Sequence, residues 1–272
     1  MPDPSHQTLS DLAETLLMRL YLRATESQHP DALVKDEKAV ALVKQIDYDF
    51  SRFKFVEKDQ VGAVLITREL DRHTRGFLAK YPDAVVVHVG CGLDTRFERV
   101  DNGKVEWYDL DLPEVIELRR KLIGGEGARY HLLACSVLDN AWLNSVSVHR
   151  GRPFLFVAEC VLMYFEEAQV KSLVLTLKEH FSGSELAFDA VNPVGVWANN
   201  FKLGSSKFVS RCHWALKRGK DLESWGDGIR LLDEWFLFEL PEPRLHRQWM
   251  RHIPPLAKCV SVFHYQLGKT AT

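Results

Sequence analysis

The chain has 272 residues, 46% of them apolar, which is enough for one large α/β domain or for a core with a cap. Lys plus Arg number 35 and Asp plus Glu 37, so a net charge of -2 supplies no field to hold nucleic acid or an anionic membrane, and neither is an expected partner. Five cysteines without a CxxC pair and eleven histidines without HxxxH or HExxH spacing argue against a disulfide or zinc framework and against a dedicated metal site.

In chain order, Ser10 is placed to cap a first helix that keeps Leu12, Leu16 and Leu20 on one face and runs to about Glu26. Residues 35–46 and 58–80 carry two more helical patterns, so 1–80 reads as an N-terminal helical part. From Ala84 onward strands and helices alternate. Strands are expected at 84–89, 105–110, 129–134, 154–158 and 185–190, and helices at 113–122 and 166–181. This rhythm predicts an α/β fold with a doubly wound parallel sheet and right-handed crossovers, its cofactor-binding core at 84–191. Residues 192–243, rich in Trp, Phe, Lys and Gly, break the rhythm and read as an inserted helical cap. Residues 244–272 return to the sheet. There Phe263, Tyr265 and Leu267 alternate with polar neighbours, as in a last strand, antiparallel at the sheet edge. The whole reads as a single domain.

The N-terminus shows no basic segment followed by an apolar run, and the most apolar stretch, 153–165, is interrupted by Glu159 and too short to span a bilayer. A cytoplasmic protein is expected.

The chemistry centres on Val85-Val-Val-His-Val-Gly-Cys-Gly-Leu-Asp-Thr-Arg96, a buried strand running into a glycine turn, followed by the strand Val105-Glu-Trp-Tyr-Asp-Leu-Asp111. Gly90 and Gly92 let the backbone approach a ligand closely. A carboxylate at the next strand end grips a ribose diol. Thr95 stands where a dinucleotide fingerprint has its third glycine, which disfavours NAD and FAD and suits a cofactor without phosphates, S-adenosylmethionine. Asp111 is the first candidate for the ribose. Asp109, on the same strand face, is its rival.

These segments, with Val157-Ala-Glu-Cys-Val-Leu-Met-Tyr164, resemble the leucine carboxyl methyltransferase family. Trp225-Gly-Asp-Gly-Ile-Arg-Leu-Leu-Asp-Glu-Trp235 and Glu14-Thr-Leu-Leu17 resemble its bacterial polyketide-type branch. The resemblance implies a class I methyltransferase fold, Rossmann-like, with S-adenosyl-L-methionine as cofactor. It implies that Gly90 and Gly92 lie against the cofactor, that Asp111 holds its ribose, and that Arg68 pairs with its methionine carboxylate. It also gives Glu159 the cofactor's cationic end; a buried pair with an arginine is the other reading of that glutamate. Where the family has Asp-Leu at the adenine, this chain has Ser136-Val137. A hydroxyl accepts the adenine amine without charge and the Val137 backbone does the rest, which lowers affinity by about 1 kcal/mol. The family's N-terminal lysine has no match, and Tyr21 or Arg23 stands in for it.

The implied activity is O-methylation of a small apolar or aromatic molecule, at a carboxyl or a hydroxyl group. A cofactor-binding protein without catalysis and a methyltransferase acting on a protein C-terminus are the alternatives. Tyr164 and Trp225, with Trp197 and Trp214, are candidate walls for the acceptor. His131 or His213 would serve as base if the acceptor were a hydroxyl.

Overall fold

The computed structural model describes residues 9–202 and 211–269; the side chains of 9–13, 55–57 and 202 lie outside that description. Helix α1 (Leu9–Ser27) already includes Ser10, so Ser10 lies inside the helix, while its side chain and that of Leu12 fall outside the described residues. Leu17, Leu20 and Ala24 of α1 pack with Ala39 and Leu42 of α2 (Glu37–Gln45) and with Phe53. Asp36 caps α2 by accepting from the Ala39 amide at 2.9 Å, which starts the helix two residues later than its pattern suggests. Helix α3 (Gln60–Lys80) then leads into the sheet.

Strands β1 (Val85–Val89), β2 (Glu106–Asp111), β3 (Tyr130–Ala134), β4 (Phe154–Ala158) and β5 (Ser184–Val191) are parallel and joined by the crossover helices α4 (Arg96–Val100), α5 (Pro113–Leu122), α6 (Ala141–Ser147) and α7 (Glu167–His180). Strands β1 and β4 are buried along their whole length, which is why β4 reads as an unbroken apolar run and β1 as one interrupted only by His88. Val87, Phe156, Val170 and Leu177 form the core on one face of the sheet. Leu70, Val86, Trp107 and Leu155 form the core on the other.

Beyond β5 come α8 (Pro193–Lys202), β6 (Ile229–Phe236), α9 (Pro254–Ala257) and β7 (Val260–Leu267). Two expectations are corrected here. Residues 229–236, assigned to the inserted cap, form a strand of the sheet; its burial alternates, but Leu232 falls on the exposed side and Asp233 on the other, which breaks the apolar–polar alternation that would have revealed it. The last strand is antiparallel as expected, but it lies between β5 and β6 and leaves β6 at the edge.

The strand order is β3-β2-β1-β4-β5-β7-β6. The chain moves outward from β1 to β3 and then crosses back to β4, so a crevice opens between the carboxyl ends of β1 and β4. A doubly wound sheet binds its ligand at such a reversal. Gly90 follows β1 there and Glu159 follows β4. Among the described residues no helix is long and apolar enough to cross a membrane.

Candidate active site

At the end of β1 the chain turns through Gly90 (φ 64°) and Gly92 (φ 51°), a conformation that costs an L side chain but not glycine. A Cβ on Gly90 would collide with Val161 Cγ2, so there space as well as dihedral demands glycine, whereas one on Gly92 would meet only the movable end of Leu16, at 2.9 Å. The Gly90 amide donates to the Leu110 carbonyl at 2.8 Å, which stitches the turn to β2.

Strand β2 presents both candidate carboxylates, and their surroundings separate them. Asp109 is fully buried. It pairs with Arg119 at 2.5 Å and accepts from Tyr130 at 2.5 Å and Trp107 Nε1 at 2.8 Å, with His88 Nδ1 at 3.3 Å. Burial works to raise its carboxyl, but Arg119 and His88 outweigh it and hold it below the ordinary range. Both its oxygens face protein partners beneath the turn. Asp111, at the strand end, accepts from the amides of Gly92 and Leu112, each at 2.8 Å, and from no other donor among the described residues. Burial pushes its carboxyl above the ordinary range, and the two amides offset this only in part. The remaining lone pairs suit a ligand with two adjacent hydroxyl donors.

Ser136 and Val137 follow β3, whose last residue, Ala134, lies beside Asp111. The Ser136 hydroxyl accepts from the Leu138 amide at 3.2 Å, and the Val137 carbonyl accepts from Trp142 Nε1 at 3.1 Å. Neither residue lines the cavity at the glycine turn; Val137 lines a separate small cavity with Trp142 and Leu173.

Glu159, following β4, pairs with Arg19 of α1 and with Arg96 at 2.5 Å, and accepts from the Thr67 hydroxyl at 2.8 Å. Of the two readings of this glutamate, the arginine pair is the one present. Burial favours its protonated form, but Arg19 and Arg96 hold it below the ordinary carboxylate range. The pair belongs to a larger buried set in which Arg23, Arg96 and Arg99 share Asp36, Asp71 and Asp94 at 2.8–3.7 Å. The Thr95 hydroxyl donates to Asp36 at 2.7 Å, a contact that a third glycine could not make. Four arginines and four carboxylates thus tie α1, α2 and α3 to the glycine turn and to β4.

The turn, Glu159, Cys160, Tyr164 and the α1 residues Thr15, Leu16, Arg19 and Arg23 enclose a cavity of about 100 Å³. Arg68, on α3, is half-buried, does not line this cavity and makes no ion pair among the described residues. Of the proposed stand-ins for the family lysine, Arg23 lines the cavity and donates to the Leu93 carbonyl at 2.8 Å, while Tyr21 stacks on Phe50. Arg19 is the residue that sequence reasoning missed. Its one visible signal was its position a single helical turn ahead of Arg23.

The aromatic candidates divide. Tyr164 lines the cavity, its hydroxyl 3.3 Å from Cys160 Sγ. Trp225 packs on Trp214 at 6.1 Å between ring centres, against the core. Trp197 stacks on Phe201 on an open face of α8, 67% exposed. His131 bonds Glu106 on the sheet, and His213 pairs with Glu166 at 2.9 Å; neither lines the cavity.

A family model described as leucine carboxyl methyltransferase matches residues 16–178. The tetracenomycin polyketide synthesis O-methyltransferase TcmP of Streptomyces glaucescens is 36% identical over 259 residues, covering 91% of this chain and 94% of that protein. The S-adenosyl-L-methionine-dependent methyltransferase dpfgK of Gibberella zeae is 28% identical over 255 residues, covering 86% and 85%. Among solved structures, a DUF574 family protein of Streptomyces avermitilis shares the fold at a TM-score of 0.58 with 12% identity, covering 92% of this chain and 96% of that one.

Proposed function

This chain belongs to the leucine carboxyl methyltransferase family, and from that premise we propose that it methylates a carboxyl oxygen of a small apolar or aromatic molecule. It is an S-adenosylmethionine-dependent methyltransferase with the class I fold. The observation that carries the donor reading is the Asp111 carboxylate, half-buried, held by two amides and with no other hydrogen-bond donor among the described residues. A ribose diol completes it with a charge-assisted pair of hydrogen bonds.

The remaining roles follow from position. Gly90 and Gly92 give the donor backbone contact, and Ser136 with Val137 borders its adenine. Glu159 takes the ammonium of the methionine end. For its carboxylate, Arg19 and Arg23 in the cavity wall are better situated than Arg68. A cavity of about 100 Å³ is smaller than the roughly 300–1,000 Å³ typical of ligand pockets, so the donor extends beyond it, toward Asp111.

When bound, S-adenosylmethionine supplies a methyl group activated by its sulfonium, with a neutral thioether as leaving group. The protein's contribution is to hold the acceptor oxygen in line and to keep the site dry. A carboxylate is ionised at neutral pH and asks for no base. None stands ready among the described residues of the cavity wall. The His88 ring nitrogens face Asp109 and Arg96, each at 3.3 Å. The Cys160 neighbour and burial hold the Tyr164 phenol well above its ordinary range. The stretch following β5, with Tyr164, selects the acceptor.

Incubation with methyl-labelled donor and a panel of aromatic acids and phenols tests this. The expected product is an ester that releases labelled methanol in base. Label that resists base would overturn the carboxyl reading.

A further inference from the structure

The wall of the cavity opposite the glycine turn is the segment Glu159–Tyr164, and its geometry starts from a strained residue. Cys160 has φ 59°; among the described residues it and Arg247 are the non-glycines in the left-handed region. Arg247 precedes a surface turn, whereas Cys160 lies inside the site. Such a conformation persists only where the surroundings enforce it. Here the enforcing contact is the Cys160 amide, which donates to Asp189 Oδ1 at 2.5 Å. Asp189 stands on β5, one residue past Phe188, the parallel partner of Ala158, and is 4% exposed.

We infer that Asp189 is a positioning residue of the donor site, acting through the Cys160 amide to fix the turn that carries Glu159 and Tyr164 into the cavity. The inference rests on the donor reading above. Three contacts depend on that turn. Glu159 reaches Arg19, Arg96 and Thr67 on one side of Cys160. Val161, on the other side, is pressed against Gly90, leaving no room for a Cβ there. The Tyr164 hydroxyl meets the Cys160 thiol, and the Met163 carbonyl accepts from the amides of His213 and Trp214, so the stretch beyond β5 is docked on the same turn. Burial pushes the Asp189 carboxyl up to about 6, and the hydrogen bond from the Cys160 amide is the strongest influence opposing that rise. A carboxylate kept in so unfavourable a place marks the amide contact as its purpose rather than general stability.

The test is calorimetric titration with S-adenosylhomocysteine of the wild type, Asp189→Ala, Asp189→Asn and the double variant Asp189→Ala/Cys160→Gly. Asp189→Ala should weaken binding by about tenfold, the cost of releasing one left-handed residue. Asp189→Asn keeps an oxygen acceptor and should stay within roughly threefold of wild type. Glycine at 160 adopts the turn without a clamp, so the double variant should recover most of the loss. A residue needed only for folding would not be rescued in this way. Asp189→Ala that binds like wild type, Asp189→Asn as weak as alanine, or a double variant without recovery would each overturn the inference. If Asp189→Ala does not fold, Asp189→Asn and the double variant carry the comparison. A wild type that fails to bind at all would instead overturn the donor reading.

Discussion

Asp111→Ala should weaken S-adenosylhomocysteine binding by roughly 100-fold while leaving the fold intact. Hydrogen bonds to a charged group are worth about 1.5–3 kcal/mol each, and this carboxylate is free to accept two from a ribose. The loss should be confined to binding. Asp111 lies at the strand end, and its two protein partners are amides, one of them on Leu112, which is exposed and open to water. Its own burial is unfavourable, as its raised carboxyl shows, so removing it relieves a cost that the ligand otherwise offsets. Calorimetry and a melting curve on the same preparation separate the two effects. Unchanged affinity would mean that another group holds the ribose. Asp109 is no substitute, because its oxygens are committed to Arg119, Tyr130 and Trp107.

Arg96→Met should produce the largest loss of stability, about 3–5 kcal/mol. Arg96 is fully buried and bonds Asp71 at 2.9 Å and Glu159 at 2.5 Å, with Asp94 at 3.4 Å. Without it the buried set keeps four carboxylates against three arginines. Methionine fills much of the volume but cannot supply the charge, so the penalty is that of an uncompensated buried anion rather than of a cavity. Against a total stability of roughly 5–15 kcal/mol, this is a large fraction. Urea unfolding should show a lower midpoint at an unchanged slope, and the melting temperature should fall by about 10 °C. A midpoint within error of wild type would show that the network contributes nothing net. The same set joins α1 to the end of β4 through Arg19 and to the glycine turn through Arg23, so the helices of the first 80 residues are integral to the site.

What the sequence disclosed follows from which forces are local. Strands β1 and β4 are buried on both faces and spell themselves out as apolar runs, interrupted in β1 only by His88, and α5 begins at the Pro113 expected to open it. The glycine turn and Asp111 were legible because a positive φ and a strand-end acid leave residue-type signatures. Strand β6 was hidden because Leu232 occupies the exposed side and Asp233 the other, and the inner place of β7 depends on β6. The ion pairs were out of reach for another reason. Arg19 meets Glu159 across 140 positions, and Cys160 meets Asp189 across 29, and no periodicity encodes such meetings. Choosing between Asp109 and Asp111 likewise needed the partners from α5 and β3. Both acids sit on one strand face, and only their neighbours tell the occupied carboxylate from the available one.

The central claim is that the crevice between β1 and β4 is a site for S-adenosylmethionine. Calorimetric titration of the wild-type protein with S-adenosylhomocysteine and, separately, with NAD tests it most directly. One equivalent of S-adenosylhomocysteine per chain with no heat from NAD is the predicted result; binding of NAD without S-adenosylhomocysteine would contradict it.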